Sequence, residues 1–435
     1  MSKPSSFSTE IDDVAGVPVA QLAKEFGTPV YVYDATCIAR RIADLAAFDV
    51  VRYAQKACSN LSILRLVREH GCRIDSVSAW EIRRALAAGF VPGKEPAEIV
   101  YTADIFDDES LDLVLEHGIP ANCGSPDMID QLGERARGRA TKGSLTGWKP
   151  IPLTLRINPG FGHGHSQKTN TGGTQSKHGI WHEQVGECMD RAARHDLVID
   201  GLHMHIGSGT DLAHLSQVCE AMERIARTVG PSVRTISAGG GLPVPYRPGE
   251  ERVDVGQYFE LWDATRKSLQ EAFGHPITLE IEPGRYLVAE SGYLVATIRA
   301  TKRMGDKQYY LVDAGFNNLA RPILYGAYHP LAVAAGAGHP PTAGRPAVDV
   351  VVGGPLCESG DIFTQREGGF VEARSLPEAS PGDLLVIHVA GAYGHCMSSN
   401  YNSKPLAAEV LIEDRRPRLI RRRQDFEDYI RDEML

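Results

Sequence analysis

A lysine stands where an apolar strand pattern should stop: Val50, Val51 and Tyr53 lead into Tyr53-Ala54-Gln55-Lys56-Ala57. If strand geometry holds through residue 57, Ala54 and Lys56 share one face, and Tyr53 and Gln55 share the other. The amine then points to a small-residue side with room for a ligand, and Schiff-base chemistry becomes available. A snorkelling or solvated lysine is the plain alternative. His203-Met204-His205, ahead of Ile206-Gly207-Ser208-Gly209, has the spacing of a metal pair, but no third or fourth ligand stands at a supportive distance in sequence. Its rings are either structural or able to stack on a flat cofactor. Gly239-Gly240-Gly241-Leu242 offers backbone N–H groups at a turn, which suits an anion such as phosphate, or is simply a tight turn. In Glu280-Ile281-Glu282-Pro283-Gly284-Arg285 the two acids share one strand face, and Pro283-Gly284 turns the chain so that Arg285 looks back. Cys357, between Leu356 and Glu358, reads as a small buried hydrophobe as readily as a reactive thiol.

The chain alternates two periodicities that would position these residues. Residues 17–27 read as a short helix and 29–33 as a strand. Strand 50–57 is followed by Ile63, Leu66 and Val67 at helical spacing and a stop at His70-Gly71. Strand 73–78 runs into a helix with Ser78 as N-cap and Glu81 three residues on. Strand 98–103 precedes a helix through Leu111, Val114 and Leu115. Strand 120–125 is followed by helix 126–137, strand 152–158 by helix 177–195, strand 198–206 by helix 211–229, and strand 233–239 by helix 254–273. Strand 277–282 closes the series. Eight strands with seven helices over ~235 residues predict a parallel (β/α)8 TIM-type barrel. An open doubly wound sheet would carry its phosphate loop after its first strand, whereas the glycine triplet follows the seventh, where barrels bind phosphate.

Beyond residue 290 the helical period disappears. Runs 294–300, 308–313, 348–353, 383–390 and 406–412 predict a C-terminal all-β domain. Segments 139–150 and 331–346 read as surface loops, and Arg421-Arg422-Arg423 as a solvated strand face.

A chain of 435 residues with 43% hydrophobic side chains is too large for a small binding module. Its net charge of -9, with acids interspersed and no basic stripe, argues against nucleic acid and membrane partners and leaves a small-molecule substrate. The 8 cysteines form no C-x-x-C pair. With no signal core and no membrane-length apolar run, they place the protein in the cytoplasm.

Taken together, the motifs resemble the diaminopimelate decarboxylases of the fold-type III pyridoxal-phosphate group, whose relatives include ornithine decarboxylase and alanine racemase. The resemblance spans nearly the whole chain. It rests on the Lys56 motif, His205-Ile206-Gly207-Ser208, Gly239-Gly240-Gly241, Glu282-Pro283-Gly284-Arg285, Val312-Asp313-Ala314-Gly315, Arg321-Pro322 with Leu324-Tyr325, Cys357-Glu358-Ser359 and Gly391-Ala392-Tyr393. Loop 159–181 is similar to the enterobacterial-type subgroup.

The resemblance implies an alanine racemase-like fold: segment 1–32 packing with the C-terminal β-barrel, a cofactor barrel over 33–289, and the β domain over 290–435. It implies that Lys56 carries pyridoxal 5'-phosphate, that His205 lies against its ring, and that Ser208, Gly240, Gly241, Pro283, Gly284 and Arg285 surround the phosphate region. Glu282 would face the pyridine nitrogen and keep it protonated, favouring decarboxylation over racemisation. Arg285, Arg321, Tyr325, Glu358 and Tyr393 would read the far end of the substrate, Tyr393 also nearing the cofactor. Two guanidiniums make sense if that end bears a carboxylate. The implied reaction is decarboxylation of meso-2,6-diaminopimelate to L-lysine, with Cys357 as proton donor from the partner subunit of a homodimer. Decarboxylases of other basic amino acids (ornithine, arginine, carboxynorspermidine), racemases and non-catalytic pyridoxal-phosphate-binding proteins are the alternatives. Ala79-Trp80 before Glu81 departs from the smaller residues common in relatives and bears on packing near the cofactor.

Overall fold

The computed structural model describes residues 7–141, 152–162, 171–205, 207 and 212–434. Two compact units emerge: Ile42–Pro243 with Val253–Gly284, and Met1–Arg41 with Val244–Arg252 and Arg285–Leu435. The sequence boundaries at 32/33 and 289/290 therefore shift to 41/42 and 284/285, with Val244–Arg252 grouped in the second unit. Ion pairs account for part of the shift: Glu290 binds Arg252 at 2.5 Å and Arg41 at 3.4 Å, both inside the second unit.

The first unit is a closed barrel of eight parallel strands. These are β1 (Val50–Ala54), β2 (Arg73–Ser76), β3 (Ile99–Ala103), β4 (Ala121–Cys123), β5 (Leu153–Asn158), β6 (Ile199–Met204), β7 (Thr235–Ser237) and β8 (Thr278–Ile281). Each pairs with the next, and β8 returns to β1 through Glu280 opposite Val50 and Ile281 opposite Val51. Seven helices follow the first seven strands: α1 (Leu61–Glu69), α2 (Ala79–Ala87), α3 (Asp108–His117), α4 (Pro126–Thr141), α5 (Val185–Arg194), α6 (Leu212–Val229) and α7 (Val255–Phe273). Their ends obey local chemistry. The Ser78 hydroxyl accepts from the Glu81 N–H at 3.2 Å while the Glu81 carboxylate accepts from the Val77 N–H at 2.8 Å, and Gly118 and Gly274 close α3 and α7 in the left-handed region.

Helix 177–195 starts later than its sequence pattern indicates. Ile180–Trp181 instead adds a short parallel strand to β5, and a 3-10 turn, His182–Gln184, precedes α5. Residues 142–150 of the expected loop lie outside the described residues.

Inside the barrel, Arg52 is bidentate to Glu280, with Nε and Nη2 each 2.6 Å from an oxygen, and its Nη1 donates to the Ala97 carbonyl at 2.6 Å. Both side chains are buried. Such a pair is strong only while intact, because either charge alone in the interior is uncompensated.

The second unit is all-β. The N-terminal strand Val30–Asp34 lies between β9 (Gly292–Met304) and β15 (Ala408–Glu413), antiparallel to the first and parallel to the second. Outward from β9 run β10 (Lys307–Val312), β12 (Ala347–Gly353) and β13 (Arg374–Pro377), and beyond β15 lies β16 (Arg416–Arg421). The segment 331–346 is not all loop. Leu331–Ala334 forms β11, fully buried, and pairs with β14 (Leu384–Ile387). Its alternate small residues pack on Leu384 and Val386 rather than facing water. Nor is the triple arginine merely solvated: Arg421 binds the buried Glu409, Arg422 binds Asp425 and Asp428, and Arg423 donates to the Pro29 carbonyl. Among the described residues no helix is long and apolar enough to cross a membrane.

Arg52→Met should destabilise the protein by about 3–5 kcal/mol in urea unfolding, since it strands Glu280. Adding Glu280→Leu should recover most of that loss. A double variant as unstable as the single one would show that shape, not charge, governs the site.

Candidate active site

In the barrel unit, β1 stops at Ala54 and a 3-10 turn, Gln55–Ala57, follows. Lys56 is therefore not on the strand, and the shared-face expectation fails. The turn buries Gln55 and Ala57 and leaves Lys56 exposed. Gln55 is the anchor: its side-chain amide donates to Ser76 Oγ at 2.8 Å and to the Glu81 carbonyl at 3.1 Å. The end of β8 is tied to the same place, because the Ala54 N–H donates to the Pro283 carbonyl at 3.2 Å. Gly284 packs there too, where an added Cβ would meet Ala54 O at 3.1 Å.

Glu282, just beyond β8, is buried among polar groups from three other strands. Its Oε2 lies 2.7 Å from His203 Nε2, and its Oε1 accepts weakly from Ser237 at 3.3 Å and Asn122 at 3.4 Å. Burial opposes its charge, but His203, by attraction and hydrogen bond, together with Arg52 and Arg156, holds Glu282 well below the usual carboxylate range. Burial, reinforced by Glu282, pushes Asp75 the other way, above that range, with Lys56 and Thr102 opposing. The mouth thus concentrates one negative charge on Glu282. Glu280, two residues back along the chain, is neutralised by Arg52.

His205 follows β6. Burial, then the positive surroundings of Arg156 and Lys56, push its imidazole well below its ordinary value, so it is neutral at physiological pH. The glycine turn lies beside it. A Cβ on Gly240 would sit 2.7 Å from the Glu282 carbonyl oxygen, and one on Gly241, at φ +107°, would sit 2.4 Å from Gly207 O. Close backbone approach therefore requires glycine at both. Ser208 lies outside the described residues, as do His163, Gly164 and His165 of loop 159–181. Trp80 is 73% exposed while Ala79 is buried, so the indole takes no part in packing at the mouth.

The β unit holds the other predicted residues. Arg285 Nη1 donates to the Tyr246 hydroxyl at 2.8 Å, and its guanidinium lies 5.1 Å from the centre of the Tyr393 ring. The Arg321 guanidinium lies 4.7 Å from the Tyr246 ring centre and donates to His329 Nε2 at 2.9 Å. Among the described residues neither guanidinium pairs with a carboxylate, so the cluster carries two positive charges on neutral supports. Tyr325 ends the short helix Arg321–Tyr325, half-buried. Cys357 and Glu358 are exposed on another loop, where the Cys357 N–H donates to Asn402 Oδ1 at 2.7 Å and the Tyr401 hydroxyl approaches Glu358 at 3.4 Å.

Sequence reasoning passed over Asp75, Asn122, Arg156 and Tyr246 and set His203 aside as structural. The signal was available for the strand residues, as each puts a polar side chain late in an otherwise buried barrel strand.

Oε1 of Gln55, Oδ1 of Asp75, Nδ1 of His203 and Nδ1 of His205 are buried in this unit without a hydrogen-bond partner among the described residues. Buried polar atoms left open mark a site for a polar ligand, and with a lysine amine and a glycine turn at hand, pyridoxal phosphate fits. Among the described residues no group of three or more His, Cys, Asp or Glu could hold a metal ion.

A parallel eight-stranded barrel with a lysine beyond its first strand, continued by an all-β unit, defines a class of pyridoxal-phosphate enzymes. Residues 38–289 match the pyridoxal binding domain of the pyridoxal-dependent decarboxylases. Over its full length the chain is 54% identical to the diaminopimelate decarboxylase of Escherichia coli K12, with 99% of each covered. It is 53% identical to that of Streptomyces coelicolor, covering 96% of this chain and 92% of the relative. A crystal structure of diaminopimelate decarboxylase at 54% identity superposes with a TM-score of 0.89, covering 95% of both chains. The Helicobacter pylori enzyme complexed with L-lysine, at 30% identity, gives 0.83, covering 94% of this chain and 98% of that one. This chain belongs to the pyridoxal-dependent decarboxylase family.

Burial raises the Tyr246 phenol, but Arg285 and Arg321 stabilise its anion more, so its net shift is downward. An alkaline titration followed by tyrosinate absorbance should show one tyrosine ionising below the usual ~10, and Tyr246→Phe should remove that phase. A curve unchanged by the substitution would place the guanidiniums away from the phenol.

Proposed function

We infer that this chain decarboxylates meso-2,6-diaminopimelate to L-lysine and CO2 with pyridoxal 5'-phosphate, the last step of lysine biosynthesis. The observation that carries the substrate assignment is the pair of guanidiniums, Arg285 and Arg321, held by a phenol and an imidazole instead of by acids. A substrate with a carboxylate at its far end supplies the missing charge. A substrate ending in a bare amine would leave both cations unmatched, a penalty of several kcal/mol by order of magnitude.

Bound pyridoxal phosphate supplies the electron sink that accepts the electron pair left as CO2 departs. Lys56 would hold the cofactor through its amine, and its place on an anchored turn sets where that amine points. His205 would lie on the cofactor's side of the mouth. It is neutral, so it adds no competing positive charge there. Gly240, Gly241 and the Pro283-Gly284-Arg285 turn, with Ser208, serve the phosphate. Glu282, kept ionised, holds a proton on the pyridine nitrogen. Arg285, Arg321, Tyr325, Tyr393 and Glu358 read the distal amino-acid group, the carboxylate of Glu358 matching its ammonium. Cys357 would donate a proton to the α-carbon in place of the departed CO2, and its exposure suits a thiol that works in the partner subunit's site. The enzyme is then a homodimer, each site drawing Lys56 from one chain and Cys357 from the other. All 8 cysteines are free, which supports a cytoplasmic location.

Purified protein reconstituted with pyridoxal phosphate should release CO2 and L-lysine from meso-diaminopimelate and leave ornithine and arginine untouched. Borohydride reduction should fix the cofactor to the peptide containing Lys56. Turnover of ornithine at a comparable rate, or label on Lys177, would contradict the assignment.

Mixing tests the shared site by symmetry. Lys56→Ala and Cys357→Ala proteins are each expected to be inactive, but a mixed dimer has one site with both defects and one with neither. Random reassortment by co-expression should restore roughly 25% of wild-type activity. Mixed dimers that form and stay inactive would show that Cys357 does not act across the interface.

A further inference from the structure

The Arg321 guanidinium rests on a histidine whose protonation is dictated by its two neighbours. His329, 3% exposed, has Nε2 2.9 Å from Arg321 Nη1 and Nδ1 3.0 Å from the carbonyl oxygen of His388. A carbonyl oxygen only accepts, so Nδ1 carries the hydrogen. A guanidinium only donates, so Nε2 must offer its lone pair. The ring between them is neutral, and burial followed by the charge of Arg321 pushes its protonation well below the ordinary histidine value.

The carbonyl that fixes this tautomer is itself held in place. The His388 N–H donates to the Pro330 carbonyl at 2.9 Å. The next residue, Val389, sits at φ +56°, a conformation uncommon for any L side chain and an outlier for a β-branched one. The Tyr246 ring stands edge-on to the imidazole, 5.4 Å away at 82°.

Two other arginines are held differently. The buried Arg52 is bound by Glu280 and the half-buried Arg345 by Asp383, carboxylates that orient the guanidinium and cancel its charge together. His329 separates those two effects, because a neutral acceptor fixes direction and leaves the charge intact. We propose that His329 is a positioning residue that sets carboxylate selectivity, orienting Arg321 without neutralising it so that its full charge meets the substrate's distal carboxylate. This rests on the reading of Arg321 as the residue that binds that carboxylate.

L-Lysine retains the carboxylate in question, and L-lysinamide is nearly the same molecule without the charge. Calorimetric titration of the holoenzyme with each gives a preference ratio that requires no turnover. His329→Leu should lower the lysine-over-lysinamide preference by at least about tenfold, the order expected for a misdirected charge-assisted hydrogen bond. His329→Glu, which keeps an acceptor but pairs the charge, should lower it comparably. His329→Gln, a neutral acceptor of similar reach, should stay near wild type. Circular dichroism and cofactor absorbance check folding, and if the leucine variant does not fold, the glutamate and glutamine pair decides. A glutamate variant with wild-type preference, or a glutamine variant that loses it, overturns the proposal. Arg321→Ala separates the two layers. If it too leaves the preference unchanged, the reading of Arg321 fails; if it abolishes the preference while the His329 variants retain it, only the role of His329 fails.

Discussion

A carboxylate kept ionised in the interior of the barrel is the constraint around which the site is arranged. Burial alone would neutralise Glu282, and the surrounding residues act to prevent that. His203 binds one oxygen at 2.7 Å, Ser237 and Asn122 approach the other, and Arg156 and Arg52 add positive potential. Arg52 also absorbs the charge of Glu280, two residues back along the chain, so the two acids do not compete. Asp75, the nearest rival, is pushed toward its protonated form by burial and by Glu282. The proposed chemistry would use one fixed negative charge in a low-dielectric place, where its effect on a bound cation is larger than in water.

The second unit solves the opposite problem. Under the proposed function two guanidiniums must stay charged and directed; among the described residues no acid pairs with them, and their supports are groups that accept a hydrogen bond without carrying charge. Tyr246 serves Arg285 and His329 serves Arg321. Their cost is electrostatic repulsion between the cations and loss of solvation, which the distal carboxylate of the proposed substrate would relieve on binding. Affinity and selectivity then have one physical origin.

Much of this was legible in the sequence. The barrel showed in eight alternations of period because parallel strands buried on both faces leave long apolar runs, and the motif order placed Lys56, Glu282 and Arg321 in one family pattern. Geometry below the level of pattern was not. Periodicity carried Lys56 along the strand, and only the hydrogen bonds of Gln55 with Ser76 and Glu81 reveal a turn there. Leu331–Ala334 looked like loop because small residues and nearby glycines mask a buried strand. Asp75, Asn122 and Arg156 escaped notice since a polar residue in a strand acquires meaning only when the barrel closes around it. Tyr246 and His329 are farther still from reach: each matters through one partner brought from elsewhere in the fold.

The proposed reaction requires Glu282 to be an anion that holds a proton on the cofactor. Nuclear magnetic resonance of holoenzyme carrying pyridoxal phosphate isotopically labelled at its ring nitrogen measures this directly. The wild-type ring nitrogen should be protonated at neutral pH and stay so well into the alkaline range, and in Glu282→Gln it should be unprotonated. A ring nitrogen that is unprotonated in the wild type, or equally protonated in both proteins, would contradict the account.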